Sequence, residues 1–150
     1  MAAITVIVVV WLAAFAFETW AQYNAIEHLD GYGLAGEVHP ANGSAVPKVP
    51  VDVRYCPSSL CGIAFTSHAN YGVPVTGWAG KYTGRDGNCT HNEPVSGVWL
   101  REEYGYLNGS SGDYHTYWVP YECVHWRDGH DKDVHFSTPG GEPSSSEPTA

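Results

Sequence analysis

Histidines and acids crowd one short stretch of the chain. Residues 125–135 read HWRDGHDKDVH, which sets His125, His130 and His135 among Asp128, Asp131 and Asp133. Imidazoles and carboxylates at this density are the ligand types of Zn²⁺, Cu²⁺ and Ca²⁺ sites. The spacing argues against a site. DGHDKD lacks the register of an EF-hand loop, and no H-E-x-x-H occurs. Asp and Gly in this order suit the turn of a solvated hairpin. No metal or other cofactor is expected, and the three histidines remain candidate ligands only.

Catalytic patterns are equally thin. Ser, His and Asp are plentiful, but no nucleophile-elbow motif holds them. No glycine-rich phosphate loop precedes a helix. Glu102 and Glu103 lie in a strand pattern, which sends adjacent side chains to opposite faces and so rules out shared acid–base work. The chain is not expected to be an enzyme. Tyr104, Tyr106, Tyr114, Tyr117, Trp118 and Tyr121 offer a different chemistry. Exposed members would stack on a glycan or pack against a protein, while alternate ones fill a core.

Four cysteines, Cys56, Cys61, Cys89 and Cys123, make an even set without a C-x-x-C pair. In a chain with an export-type start this favours two disulfides over zinc. Three pairings are open. Favoured are Cys56–Cys61, closing CPSSLC, and Cys89–Cys123, closing a loop of about 35 residues for about 3–4 kcal/mol in the chain-entropy model. Three N-x-S/T sequons, at Asn42, Asn88 and Asn108, sit among turn residues where a glycan can attach. The cysteine inside the second sequon counts against Asn88.

These groups must be held by one modest domain. Net charge is −9 with only seven Lys plus Arg among 150 residues. Phosphate binding needs clustered cations, so no nucleic-acid partner is expected. An acidic, lysine-poor surface fits an exposed, soluble exterior. From residue 34 onward the signals are those of strands. Val49, Val51, Val53 and Tyr55 alternate with polar or turn residues. A short strand over 35–39 and a turn at 41–44 precede them. PVTGWAGKYTG, VWLREEYGYLNG, YHTYWVPYECVHW and DVHF follow, separated by Gly- and Asn-rich turns. Six to eight short strands predict a mainly β fold, an antiparallel β-sandwich over residues 34–136. Residues 137–150, rich in Ser, Pro, Gly and Glu, are expected to be a flexible tail.

The beginning is of another kind. Residues 1–21, MAAITVIVVVWLAAFAFETWA, carry Glu18 as their only charge. Helical spacing continues through Trp20, Tyr23 and Ile26, and Asp30-Gly31 ends it, predicting a helix over residues 1–30. Three readings stand. A signal peptide fits the length of the apolar run but lacks a basic start. A membrane span barely reaches the needed length and lacks basic flanks.

The third reading is a family resemblance. An apolar helix with no positive flank, followed by a β domain, resembles a type IV pilin-like subunit after removal of its leader. Thr5 stands where bacterial members carry Glu, which points to the archaeal-type branch. The run GEVHPANGSAVPKVPVDV, with Gly36, Val38, Asn42, Gly43, Val46, Pro47, Val49 and Val51, resembles the opening of carboxypeptidase-regulatory-like or transthyretin-like sandwich domains. Thr76, Gly80, Tyr82, Gly105 and Tyr106 continue that pattern, so an immunoglobulin-like or prealbumin-like sandwich is implied. The resemblance implies a homo-oligomeric helical filament, an adhesive cell-surface appendage whose subunits rest in a membrane before assembly. Ile4, Val6, Ile7, Val8, Val9, Val10, Trp11, Leu12, Phe15 and Phe17 would then pack the filament core. The alternative is a secreted or membrane-anchored, disulfide-bonded β module binding a glycan, a protein or another surface ligand.

Overall fold

A computed structural model describes residues 36–68, 70–90, 92–105 and 114–146. Ten strands follow in order: β1 (Val38–Pro40), β2 (Ser44–Pro47), β3 (Val51–Arg54), β4 (Ile63–Ser67), β5 (Val73–Gly80), β6 (Val98–Gly105), β7 (Tyr114–Pro120), β8 (Val124–Arg127), β9 (Asp133–Phe136) and β10 (Pro143–Ser146). Every pairing is antiparallel. The strands form one sheet in the order β10-β9-β8-β2-β5-β6-β7-β3-β4, with β1 laid on β5.

Two expectations are corrected. The described residues are all-β and contain no α-helix, only a 3-10 turn at Tyr121–Cys123. No helix among the described residues supports the pilin-like resemblance, whose defining element is a long apolar helix, and it is set aside. The helix expected over residues 1–30, with its assembly residues Ile4, Val6, Ile7, Val8, Val9, Val10, Trp11, Leu12, Phe15 and Phe17, lies outside the described residues. Nor do two separate sheets form, as an immunoglobulin-like or prealbumin-like sandwich would have them. β5 pairs with β6 through its later residues and with β2 through Val73 and Pro74, so both halves belong to one continuous sheet.

The alternating pattern fills one interior. Val51 and Val53 of β3, Val98 and Leu100 of β6 and Val119 of β7 are fully enclosed, facing Ala45, Val73 and Val75. Phe136 is the aromatic hub. Its ring lies 5.1 Å from Trp78, 5.2 Å from Tyr82 and 5.2 Å from Tyr121, the first and third edge-on. Such edge-to-face pairs add to burial because the positive ring edge meets the negative face. On the other side of the sheet, Ala79, Trp99 and Trp118 pack with Val38 of β1.

Turn chemistry sets the register. Gly43 has φ +122°, and a side chain there would run into the Arg127 carbonyl, so the Asn42-Gly43 turn admits glycine alone. The run YHTYWVPYECVHW makes two strands because it breaks at Pro120. Proline offers no N–H to a ladder, and the chain turns at Tyr121–Cys123 before resuming as β8. Residues 143–146, inside the segment expected to be flexible, form β10 against β9.

Candidate functional site

The histidine-rich stretch folds as the hairpin β8–β9. Asp128 Oδ1 accepts the N–H groups of Lys132 and His130 at 3.0 and 2.8 Å, and these bonds hold its carboxyl below the usual range. Arg127 pairs with Asp131 at 2.9 Å and reaches Asp133 at 3.5 Å. His125 falls on β8, His130 in the turn and His135 on β9, all exposed. Among the described residues no group of three or more His, Cys, Asp or Glu side chains is placed to hold a metal ion.

Beneath this hairpin lies a cleft of about 130 Å³, lined by Lys48, Asp86, Tyr121, His125, Asp133 and His135 among others. Lys48 Nζ donates to the Glu122 carbonyl at 3.2 Å. Tyr82 Oη donates to Asp86 at 3.0 Å. Tyr121 Oη lies 3.4 Å from His135 Nδ1 and 3.5 Å from the Val134 carbonyl. Burial, then the Asp86 charge, pushes the Tyr121 phenol up to about 12, so it stays protonated as a hydrogen-bond donor. The Glu122 side chain is buried and structural. Its carboxylate accepts the Val95 N–H and, at 3.1 Å, the Ser96 N–H, which pins the loop between β5 and β6.

A second feature stands at the start of β4. The Cys56–Cys61 disulfide closes the CPSSLC loop, with Cα atoms 5.6 Å apart. Inside it the Cys61 N–H donates to the Ser58 carbonyl at 3.1 Å, and the Leu60 N–H to Ser58 Oγ at the same distance. Arg54 Nη1 donates to the carbonyls of Ser59 and Cys61 at 3.0 and 2.7 Å. The loop is thus fixed from within and from β3, yet it holds Leu60 87% exposed. Ile63 and Tyr55, 51% and 39% exposed, stand beside it in the chain. This patch escaped sequence reasoning, although a signal existed. No Asp, Glu, Lys or Arg occurs between Arg54 and Lys81 in a chain of net charge −9.

Three of the six clustered aromatic residues fill the core, as alternate members were expected to. Tyr104, Trp118 and Tyr121 are buried, and Tyr117 is half-buried among Phe65, Tyr55 and Tyr104. Tyr106 lies outside the described residues, and of Tyr114 only its place on β7 is described. Of the paired acids, Glu103 faces outward and Glu102 is enclosed in the core.

The second disulfide joins Cys89 of the loop between β5 and β6 to Cys123 of the 3-10 turn, with Cα atoms 4.8 Å apart. Both bridges are compatible with an oxidising environment. Asn42 and Asn88 are exposed, and Asn108 lies outside the described residues. No family model matches the chain, and no match is found among characterised proteins or solved structures.

Proposed function

We propose that the chain is a secreted or surface-displayed, disulfide-bonded β module that binds another extracellular protein through the Leu60 loop. One observation carries this reading: a large apolar side chain, almost wholly exposed, stands on a loop held rigid by a disulfide and by Arg54. An anchor already fixed in place loses little conformational freedom on docking, and such residues dominate binding energy when they enter a partner's pocket. A protein suits this surface better than a glycan, because its most exposed side chain is the aliphatic Leu60, while Tyr104, Trp118 and Tyr121 are used in the core. Binding suits the chain better than catalysis. The cleft phenol is held protonated and the Glu122 carboxylate is taken up by backbone N–H groups.

The test is a photo-crosslinking amino acid placed at position 60 of the exported protein on its native cells, with the same group at position 130 as control. The expected result is one discrete adduct from position 60, absent from position 130 and competed away by unlabelled protein. Equal adducts from both positions, or none from position 60, would overturn the reading.

A further inference from the structure

The two described sequons differ in what the fold leaves open. Asn42-Gly43-Ser44 is built into the sheet. Ser44 is paired with Pro74 on one side and Arg127 on the other, and the Asn42 carbonyl accepts the Trp126 indole N–H at 3.3 Å. Asn88-Cys89-Thr90 lies in the irregular loop between β5 and β6, where Asn88 and Thr90 are both exposed. Between them Cys89 is tied to Cys123, which is wholly buried. The disulfide draws the middle residue of the sequon toward the core and leaves its two outer residues at the surface.

Those outer residues already face one another. Thr90 Oγ1 donates to Asn88 Oδ1 at 2.9 Å, and the Thr90 N–H donates to the Asn88 carbonyl at 2.7 Å. The hydroxyl that an N-x-S/T acceptor requires is therefore seated on the carboxamide oxygen. With Oδ1 engaged, Nδ2 is the end of the carboxamide left for reaction.

We propose that Asn88 is an N-glycan acceptor, with the Thr90 hydroxyl as its positioning group. The inference rests on the export reading above, since the donor is a lipid-linked oligosaccharyl diphosphate of the export pathway. In the transfer, Nδ2 forms a bond to the anomeric carbon as the bond from that carbon to the diphosphate oxygen breaks. The lipid diphosphate leaves with the electron pair, and the carboxamide gives up one proton. The cysteine that counted against this sequon is, in the folded chain, what turns Asn88 and Thr90 outward. Asn88 follows Gly87, which lines the cleft beneath the β8–β9 hairpin, so the glycan would stand at the rim of that cleft.

The experiment is export of the full chain from a eukaryotic secretory host behind a supplied signal sequence. Enzymatic deglycosylation in heavy-oxygen water then marks each occupied asparagine for mass spectrometry, and the same digest reports the Cys89–Cys123 disulfide. The expected result is label at Asn88 in the wild type and in Thr90→Ser, which keeps the hydroxyl, and its loss in Thr90→Val. Asn42→Gln should leave the Asn88 label unchanged. An unlabelled Asn88 in exported, disulfide-bonded protein would overturn the proposal, as would label persisting in Thr90→Val. The host supplies export, so failure here leaves the Leu60 reading standing. Loss of the position-60 adduct with Asn88 still labelled overturns only that reading.

Discussion

The Tyr104 phenol donates a 2.7 Å hydrogen bond to Glu102 Oε2 in the interior of the sheet. Glu102 is wholly enclosed, and among the described residues its other oxygen, Oε1, has no partner. β6 places it across from Val75 of β5 and Tyr117 of β7. Burial raises its pKa to about 7, and the bond from Tyr104 only partly opposes this.

A raised folded-state pKa means the folded chain holds this proton more tightly than the unfolded chain does. The group costs nothing below the ordinary carboxylate range, where both states are protonated. Its penalty grows as pH rises from about 4.5 to about 7 and is complete above that, at about 3 kcal/mol. Glu102→Gln, which keeps a polar contact to Tyr104 but cannot ionise, should therefore be more stable than wild type at pH 8 and much closer to it at pH 4.5. Denaturant unfolding at the two values measures this. An unchanged difference between variant and wild type at the two values would contradict it.

Glu122, unlike Glu102, has both carboxyl oxygens bonded to backbone N–H groups. Glu122→Ala leaves the Val95 and buried Ser96 N–H groups without their acceptor and should cost about 2–3 kcal/mol. Hydrogen exchange at those two amides should quicken before that of β6, because the loop opens first.

The two disulfides should contribute unequally. Cys89 and Cys123 are 34 residues apart, Cys56 and Cys61 only five. Replacing the long-range pair by alanine should cost about 4 kcal/mol, and replacing the short pair about 2 kcal/mol, because the longer closed loop restricts the unfolded chain more. Denaturant midpoints of the two double variants test the order.

The Leu60 loop should be nearly neutral for stability. Leu60→Asp should change unfolding by no more than about 0.5 kcal/mol, since the side chain packs against little. It should nevertheless abolish the crosslinked partner. Arg54→Ala, which frees the Ser59 and Cys61 carbonyls, should weaken capture and speed amide exchange over residues 58–61.

Much of the strand content was legible in advance. Val51 and Val53 alternate with Asp52 and Arg54 because one face of β3 is buried, and period-two patterning records that. Of the three cysteine pairings left open by the sequence, the favoured one, Cys56–Cys61 with Cys89–Cys123, is the one formed. The β4 and β10 strands were not legible. IAFTS and PSSS carry no alternation of their own and are strands because β3 and β9 offer them a free edge.

Side-chain fate shows the same division. Composition and order determined an acidic, disulfide-bonded, mainly β chain, since charge, cysteine parity and period-two hydrophobicity are local properties of the sequence. Only the tertiary structure decided that Tyr104, Trp118 and Tyr121 are core rather than surface, that Glu102 is buried while Glu103 is not, and that Leu60 stands outside. Burial depends on which strands flank a residue on both sides, and β5, which joins the two halves of the sheet, meets neighbours distant in the chain.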